Sequence, residues 1–255
     1  MTLALRSYEF WITFYRRTWR GTVATSVVNP VFYLSALGIG LGTLVNRSGS
    51  TPEGVKYLVF VAPGVLAATA MQVATNEASW PVLGSIRWTR GYYAMLATPL
   101  GIRDIVFGHQ AWMATRVVSS CAVYLAVIGA FGGIRSPLGV LALPACFLIG
   151  IAFSAPLAAY AATLEHDSAF VVVNRFAVMP MFLFSGTFFP VSRLPQPLEW
   201  LAYATPSWHG VDLCRALTLG RVHWPLALVH VLYLAAWGVA GLALALHTYR
   251  RRLLK

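Results

Sequence analysis

Long apolar runs separated by short polar stretches set the pattern of this chain. Crossing a bilayer as a helix takes about 20 consecutive apolar residues, and six runs qualify. Residues 22–45 carry no charge, and Gly38, Gly40 and Gly42 there have a spacing that suits close helix packing. A short loop with Arg47, Glu53 and Lys56 leads to the second run, 57–76. The third, 105–134, is unusually long and has His109 and Arg116 near its start. A Gly-Gly-Ile-Arg-Ser-Pro turn at 132–137 opens the fourth, 138–164. The fifth, 169–189, encloses Arg175, and the sixth, 224–248, ends in Arg250, Arg251, Arg252 and Lys255.

Three stretches depart from this pattern. Residues 1–20 mix Arg6, Glu9, Arg16, Arg17 and Arg20 with Leu3, Tyr8, Phe10, Trp11, Phe14, Tyr15 and Trp19. A cleavable signal would have one continuous apolar core, so this stretch predicts an amphipathic helix lying in the membrane interface. The polar, aromatic segment 77–104 is punctuated by Pro81 and Pro99, which bound a short helix. Residues 190–220 are too long for a turn and are broken by Pro195, Pro197 and Pro206, yet they hold Trp200, Tyr203 and Trp208. That mixture suits short helices dipping into the outer leaflet, with a solvated extracellular cap as the alternative.

Composition removes whole classes. The chain is 58% hydrophobic and 11% charged, under half the roughly 25% charge of a soluble domain. Too few polar residues remain to cover a soluble surface. A soluble enzyme, a disordered chain and a secreted disulfide scaffold are thereby excluded, and the fold class is an all-α polytopic membrane protein with six transmembrane helices. The net charge of +11 belongs to the loops, where the positive-inside bias explains it without nucleic acid. Placing both termini in the cytoplasm puts eleven basic loop residues inside and six outside. Cys121, Cys146 and Cys214 are scattered among apolar neighbours and read as small core hydrophobes.

Catalytic chemistry is sparse. The sequence has no phosphate-binding loop, no HExxH pair and no GxSxG elbow. Its six histidines lack metal-site spacing; His109 and His230 could take part in proton chemistry, with a hydrogen-bonded packing role as the alternative. Charges inside spans cost a few kcal/mol and tend to be paired or functional. Glu77 faces Arg116 or Arg175, or both arginines snorkel to the headgroups. Asp212 and Arg215, three apart, share a helix face in the segment 190–220.

Several motifs in order resemble the type-2 ABC exporter permeases. They begin with Asn29-Pro30-Val31-Phe32-Tyr33-Leu34 and Leu37-Gly38-Ile39-Gly40-Leu41-Gly42. Tyr92 to Pro99 and Gly101-Ile102-Arg103-Asp104-Ile105-Val106-Phe107-Gly108 follow. The most specific block holds Ser185, Gly186, Phe189, Pro190, Leu194-Pro195, Pro206, Asp212-Leu213-Cys214-Arg215 and Leu219-Gly220. The resemblance spans nearly the whole chain and includes the nodulation lipo-oligosaccharide and daunorubicin exporter permeases.

The resemblance implies one transmembrane domain over 1–255, in a bacterial plasma membrane. It pairs with a second permease as a homodimer or heterodimer, and with separate ATP-binding subunits that hold the ATP and Mg; the chain itself has no cofactor. Residues 1–20 become the interfacial connecting helix, 82–98 the cytoplasmic coupling helix and 190–220 the re-entrant extracellular segment. In the coupling helix Trp88, Tyr92 and Met95 fall at i, i+4 and i+7, with Arg87 and Arg90 interleaved. One face of that helix then sits in a groove of the ATPase. Relatives often carry glutamate where Tyr93 and His109 stand. The expected function is export of an amphipathic substrate, a lipo-oligosaccharide, glycolipid or hydrophobic drug. An intramembrane lipid-modifying enzyme and a non-transporting assembly subunit are the alternatives.

Overall fold

The structure is a computed structural model that describes residues 2–17, 19, 28, 30–49 and 52–254. Residues 22–27 and Asn29 of the first apolar run, Thr18 and Arg20 of the N-terminal stretch, and Lys255 lie outside the described residues. The described residues form helices and no strands. In chain order they are α1 (Thr2–Tyr15), α2 (Gly42–Arg47) after a π-helical stretch Leu34–Leu41, α3 (Tyr57–Ala78), α4 (Trp80–Arg87) and α5 (Gly91–Leu96). Next come α6 (Ile102–Ala130), α7 (Ala142–Ala161), α8 (Ser168–Val173), α9 (Met179–Phe184), α10 (Gln196–Tyr203), α11 (Pro206–Leu219) and α12 (Trp224–Leu253).

Among the described residues, four helical stretches are long and apolar enough to cross a membrane: Tyr57–Arg87, Ile102–Ala130, Pro137–Ala161 and Trp224–Leu253. The fifth run is shorter than expected. It spans Ser168–Phe184, with a π turn at Asn174–Val178, and stops at Ser185 instead of continuing to 189. The chain turns there through Gly186, whose φ of 84° continues no right-handed helix. The third run starts three residues early, because the Asp104 carboxylate accepts the Gly101 N–H at 2.9 Å and caps the helix. Of the glycines expected to permit close packing, Gly38 faces Leu58 and Gly42 faces Tyr57, whereas Gly40 borders open space.

α3 is the central helix. Sixteen of its 22 residues are buried, and its many alanines let neighbours approach from several sides. α12 is one-sided. Ala227, His230, Leu234, Gly238, Gly241, Ala245 and Tyr249 are buried at helical spacing, while Leu228, Leu232 and Val239 are exposed on the lipid side. α1 packs on α6 through Ser7 and Trp11 and leaves Phe10 and Phe14 exposed.

Segment 190–220 is two helices of different character. α10 exposes Trp200 and Leu201, whereas α11 is buried among α3, α7 and α12 and carries Arg215 into the interior. The free-cap alternative therefore fails for α11. The cysteines, scattered in sequence, meet in one buried core cluster.

The most extensive helix contact among the described residues is between α7 and α12. A Cβ on Gly241 would lie 2.4 Å from Pro156 Cδ and 2.6 Å from its backbone nitrogen. Gly241→Ala is accordingly expected to destabilise the fold by roughly 1–3 kcal/mol. Thermal unfolding in detergent checks this, with Leu244→Ala on the lipid side as a near-neutral control. An unchanged midpoint for Gly241→Ala would mean that α7 and α12 separate freely.

Candidate functional site

The polar groups gather in three centres. The first lies at the arginine-rich end, where α4 and α5 join. Residues 82–98 are not one helix, because Arg90 has a left-handed φ of 50° that breaks the run between α4 and α5. The expected face of Trp88, Tyr92 and Met95 is therefore split. Trp88 is 63% exposed, whereas Tyr92 is fully buried and Met95 nearly so. Tyr92 shares a 2.6 Å hydrogen bond with His109 Nδ1 and lies 3.4 Å from the Tyr249 hydroxyl. Trp11 stacks flat on His109 at 3.7 Å between ring centroids. Tyr92 and His109 thus tie α1, α5, α6 and α12 together and present nothing to a partner.

Outside this packed layer, Arg90 and Tyr93 are exposed beside Trp88. Arg87 Nη1 lies 2.7 Å from one oxygen of Glu165, and Arg252 Nη1 lies 2.5 Å from the other. One carboxylate from the α7–α8 loop therefore clamps α4 to the end of α12. The hydrogen bond from Arg252, with the charge of both arginines, holds the Glu165 carboxyl below its ordinary range. Arg87, Arg90, Tyr93, Arg252 and Ile86 line a cleft of 410 Å³.

The second centre resolves the choice of partner for Glu77. Arg116 Nε donates to Glu77 Oε1 at 3.1 Å and Nη1 donates to the Tyr15 hydroxyl at 2.9 Å. The same guanidinium lies 4.5 Å from the Tyr15 ring centroid. Arg175 stays exposed on the π turn, away from Glu77.

The third centre, at the opposite end, holds Asp212 and Arg215. The two line one cavity of 200 Å³ but take different partners. Arg215 is buried, donates to the carbonyls of Gly186 (2.6 Å) and Phe60 (3.3 Å), and lies 3.9 Å over the Phe60 ring. Asp212 accepts from His230 Nε2 at 3.0 Å, and His230 Nδ1 lies 2.7 Å from His209 Nδ1. Among the described residues no group of three or more His, Cys, Asp or Glu could hold a metal ion.

Three separate centres do not make a convergent catalytic site. They tie helices together instead. The profile of the family described as "ABC-2 type transporter" matches residues 6–219. The chain belongs to that family.

Relatives of this ABC-2 permease agree along its length. It is 32% identical over 255 residues to Nodulation protein J of Rhizobium leguminosarum bv. viciae, covering 96% of this chain and 95% of that one. Against the bv. trifolii protein the identity is 34% over 254 residues, covering 96% and 94%. Nodulation protein J of Rhizobium meliloti (strain 1021) is 32% identical with the same coverage. The permease also uses residues that sequence reasoning passed over. Glu165 carries no local signal, because its arginines lie far away in the chain. His209 had a signal: it precedes Asp212 by three residues on a helix, so both share a face.

Proposed function

We propose that this chain is the membrane permease of an ATP-driven exporter, with ATP and Mg held by a separate ATP-binding subunit. The family match over most of the chain carries the reading. A second permease, identical or paralogous, completes the assembly. The arginine-rich end is cytoplasmic by the positive-inside bias, which places α10 and α11 on the outer side of a bacterial plasma membrane. The substrate is amphipathic, and the relatives named for nodulation favour a lipo-oligosaccharide over a hydrophobic drug. An apolar groove of 480 Å³, lined by Phe153, Tyr160, Met181, Leu201 and Trp237 among others, suits such a molecule's tail.

The ATPase contact is made by exposed Trp88, Arg90 and Tyr93, while buried Tyr92 and Met95 brace them from behind. An exposed Trp beside Arg is the composition of interface anchors. Trp88→Ala is expected to leave the permease folded while weakening the complex by about 2 kcal/mol, roughly thirty-fold in Kd. Co-purification of the co-expressed ATP-binding subunit and export by whole cells read the effect. Wild-type binding and export by Trp88→Ala would move the contact to the Glu165 loop or α1.

A further inference from the structure

The outer cavity has a polar inner wall that none of the roles above uses. Glu53, Asp212, Arg215, Arg221, His223 and His230 line it. Behind Asp212 stand two buried imidazoles, His230 on α12 and His209 on α11, 1% and 7% exposed. His230 Nδ1 and His209 Nδ1 are 2.7 Å apart, and His230 Nε2 is 3.0 Å from Asp212 Oδ2. The Tyr233 ring stacks on His209 at 3.9 Å, and Trp208 stands edge-on to both imidazoles.

These distances restrict where protons can sit. Two ring nitrogens at 2.7 Å must share one proton, since two lone pairs repel and two N–H groups collide. The carboxylate contact needs a second proton, on His230 Nε2. Two arrangements meet both demands. In the first, neutral His209 donates from Nδ1 to His230 Nδ1, and neutral His230 donates from Nε2 to Asp212. In the second, His230 carries protons on both ring nitrogens and donates to Asp212 and to His209 Nδ1, while His209 carries its one proton on Nε2. The second arrangement holds one more proton than the first. His209 gains it at Nε2 and passes its Nδ1 proton to His230 Nδ1, with no break in either contact.

We propose that Asp212, His230 and His209 form a one-proton binding site facing the outer cavity, with the two rings titrating as a single unit. Other charges near it are already engaged. Arg215 is held by two carbonyls, Arg221 donates to the Glu53 carbonyl at 3.3 Å, and Glu199 accepts from the Tyr203 hydroxyl at 2.8 Å. Glu53 and His223 face the same cavity from the 52–54 turn and the start of α12. Uptake turns the charge–dipole contact between α11 and α12 into an ion pair, so acid outside fastens α11 to the sixth span. The side from which the proton arrives rests on the proposed orientation; the shared site does not.

The test is nitrogen NMR of the full chain in detergent, with nitrogen-15 histidine and signals assigned by replacing each histidine with glutamine. Across about pH 8 to about pH 3, a window that includes the value of about 4 to which burial lowers His209, the pair is expected to take up its proton with one common midpoint. A coupling between the two Nδ1 atoms across the hydrogen bond should accompany it. Asp212→Asn is expected to weaken the pair's proton affinity about tenfold, with His223→Gln leaving it unchanged. Two independent midpoints without nitrogen–nitrogen coupling in the wild-type chain would overturn the proposal, whether or not the variants fold. So would a folded Asp212→Asn chain with an unmoved midpoint.

Discussion

Glu77→Leu is expected to destabilise the folded permease by about 3–5 kcal/mol, and Arg116→Met by a similar amount. The Arg116 side chain is 9% exposed and that of Glu77 22%, so loss of either leaves the other charged in apolar surroundings. Arg116 would retain the Tyr15 hydroxyl and ring, which offset part of the loss but supply no counter-charge. The double variant Glu77→Leu with Arg116→Met replaces the pair by apolar groups of similar size. It is expected to recover most of the lost stability, because the desolvation cost disappears with the charges. Denaturant unfolding in mixed micelles gives the three values. Single effects that simply add in the double variant would show that the two groups do not act as a pair.

Arg215→Met should have an effect of the same order for a different reason. Arg215 has no carboxylate partner at this depth; its two donors hold the Phe60 and Gly186 carbonyls. Hydrogen bonds from a charged donor contribute about 1.5–3 kcal/mol each, and the Gly186 carbonyl, outside any helix, takes no backbone N–H among the described residues. A loss of about 3–5 kcal/mol follows. Local opening should appear around Gly186, where the chain leaves α9 with a φ of 84°. Arg215→Lys is expected to rescue little, since one ammonium lacks the planar fork that serves two acceptors at once. Thermal unfolding and limited proteolysis near residue 186 read both variants. Full stability of Arg215→Lys would mean that charge alone, rather than fork geometry, holds the turn.

Trp88, Tyr92 and Met95 mark where local pattern stops informing. Their spacing fits one helical face, yet Arg90 takes a left-handed turn and sends two of them into the core. Spacing describes a face only while the helix continues, and nothing in a Thr-Arg-Gly run fixes which residue turns. The three-residue spacing of Asp212 and Arg215 did place them at one cavity. Their partners come from α3, the 186 turn and α12, which no local rule reaches.

What the sequence determined by itself is the membrane class, the all-helical fold, the main apolar helices and the ABC-2 family. Each follows from composition, run length or ordered motifs, and a bilayer leaves an apolar run of that length little choice but to be helical. Which charges meet, which aromatics face outward and which histidines touch were decided by tertiary structure alone. Glu165 meets Arg87 and Arg252 from remote parts of the chain, and His209 meets His230 across two helices. Such contacts depend on how far each helix is rotated about its axis, and packing against neighbouring helices sets that rotation.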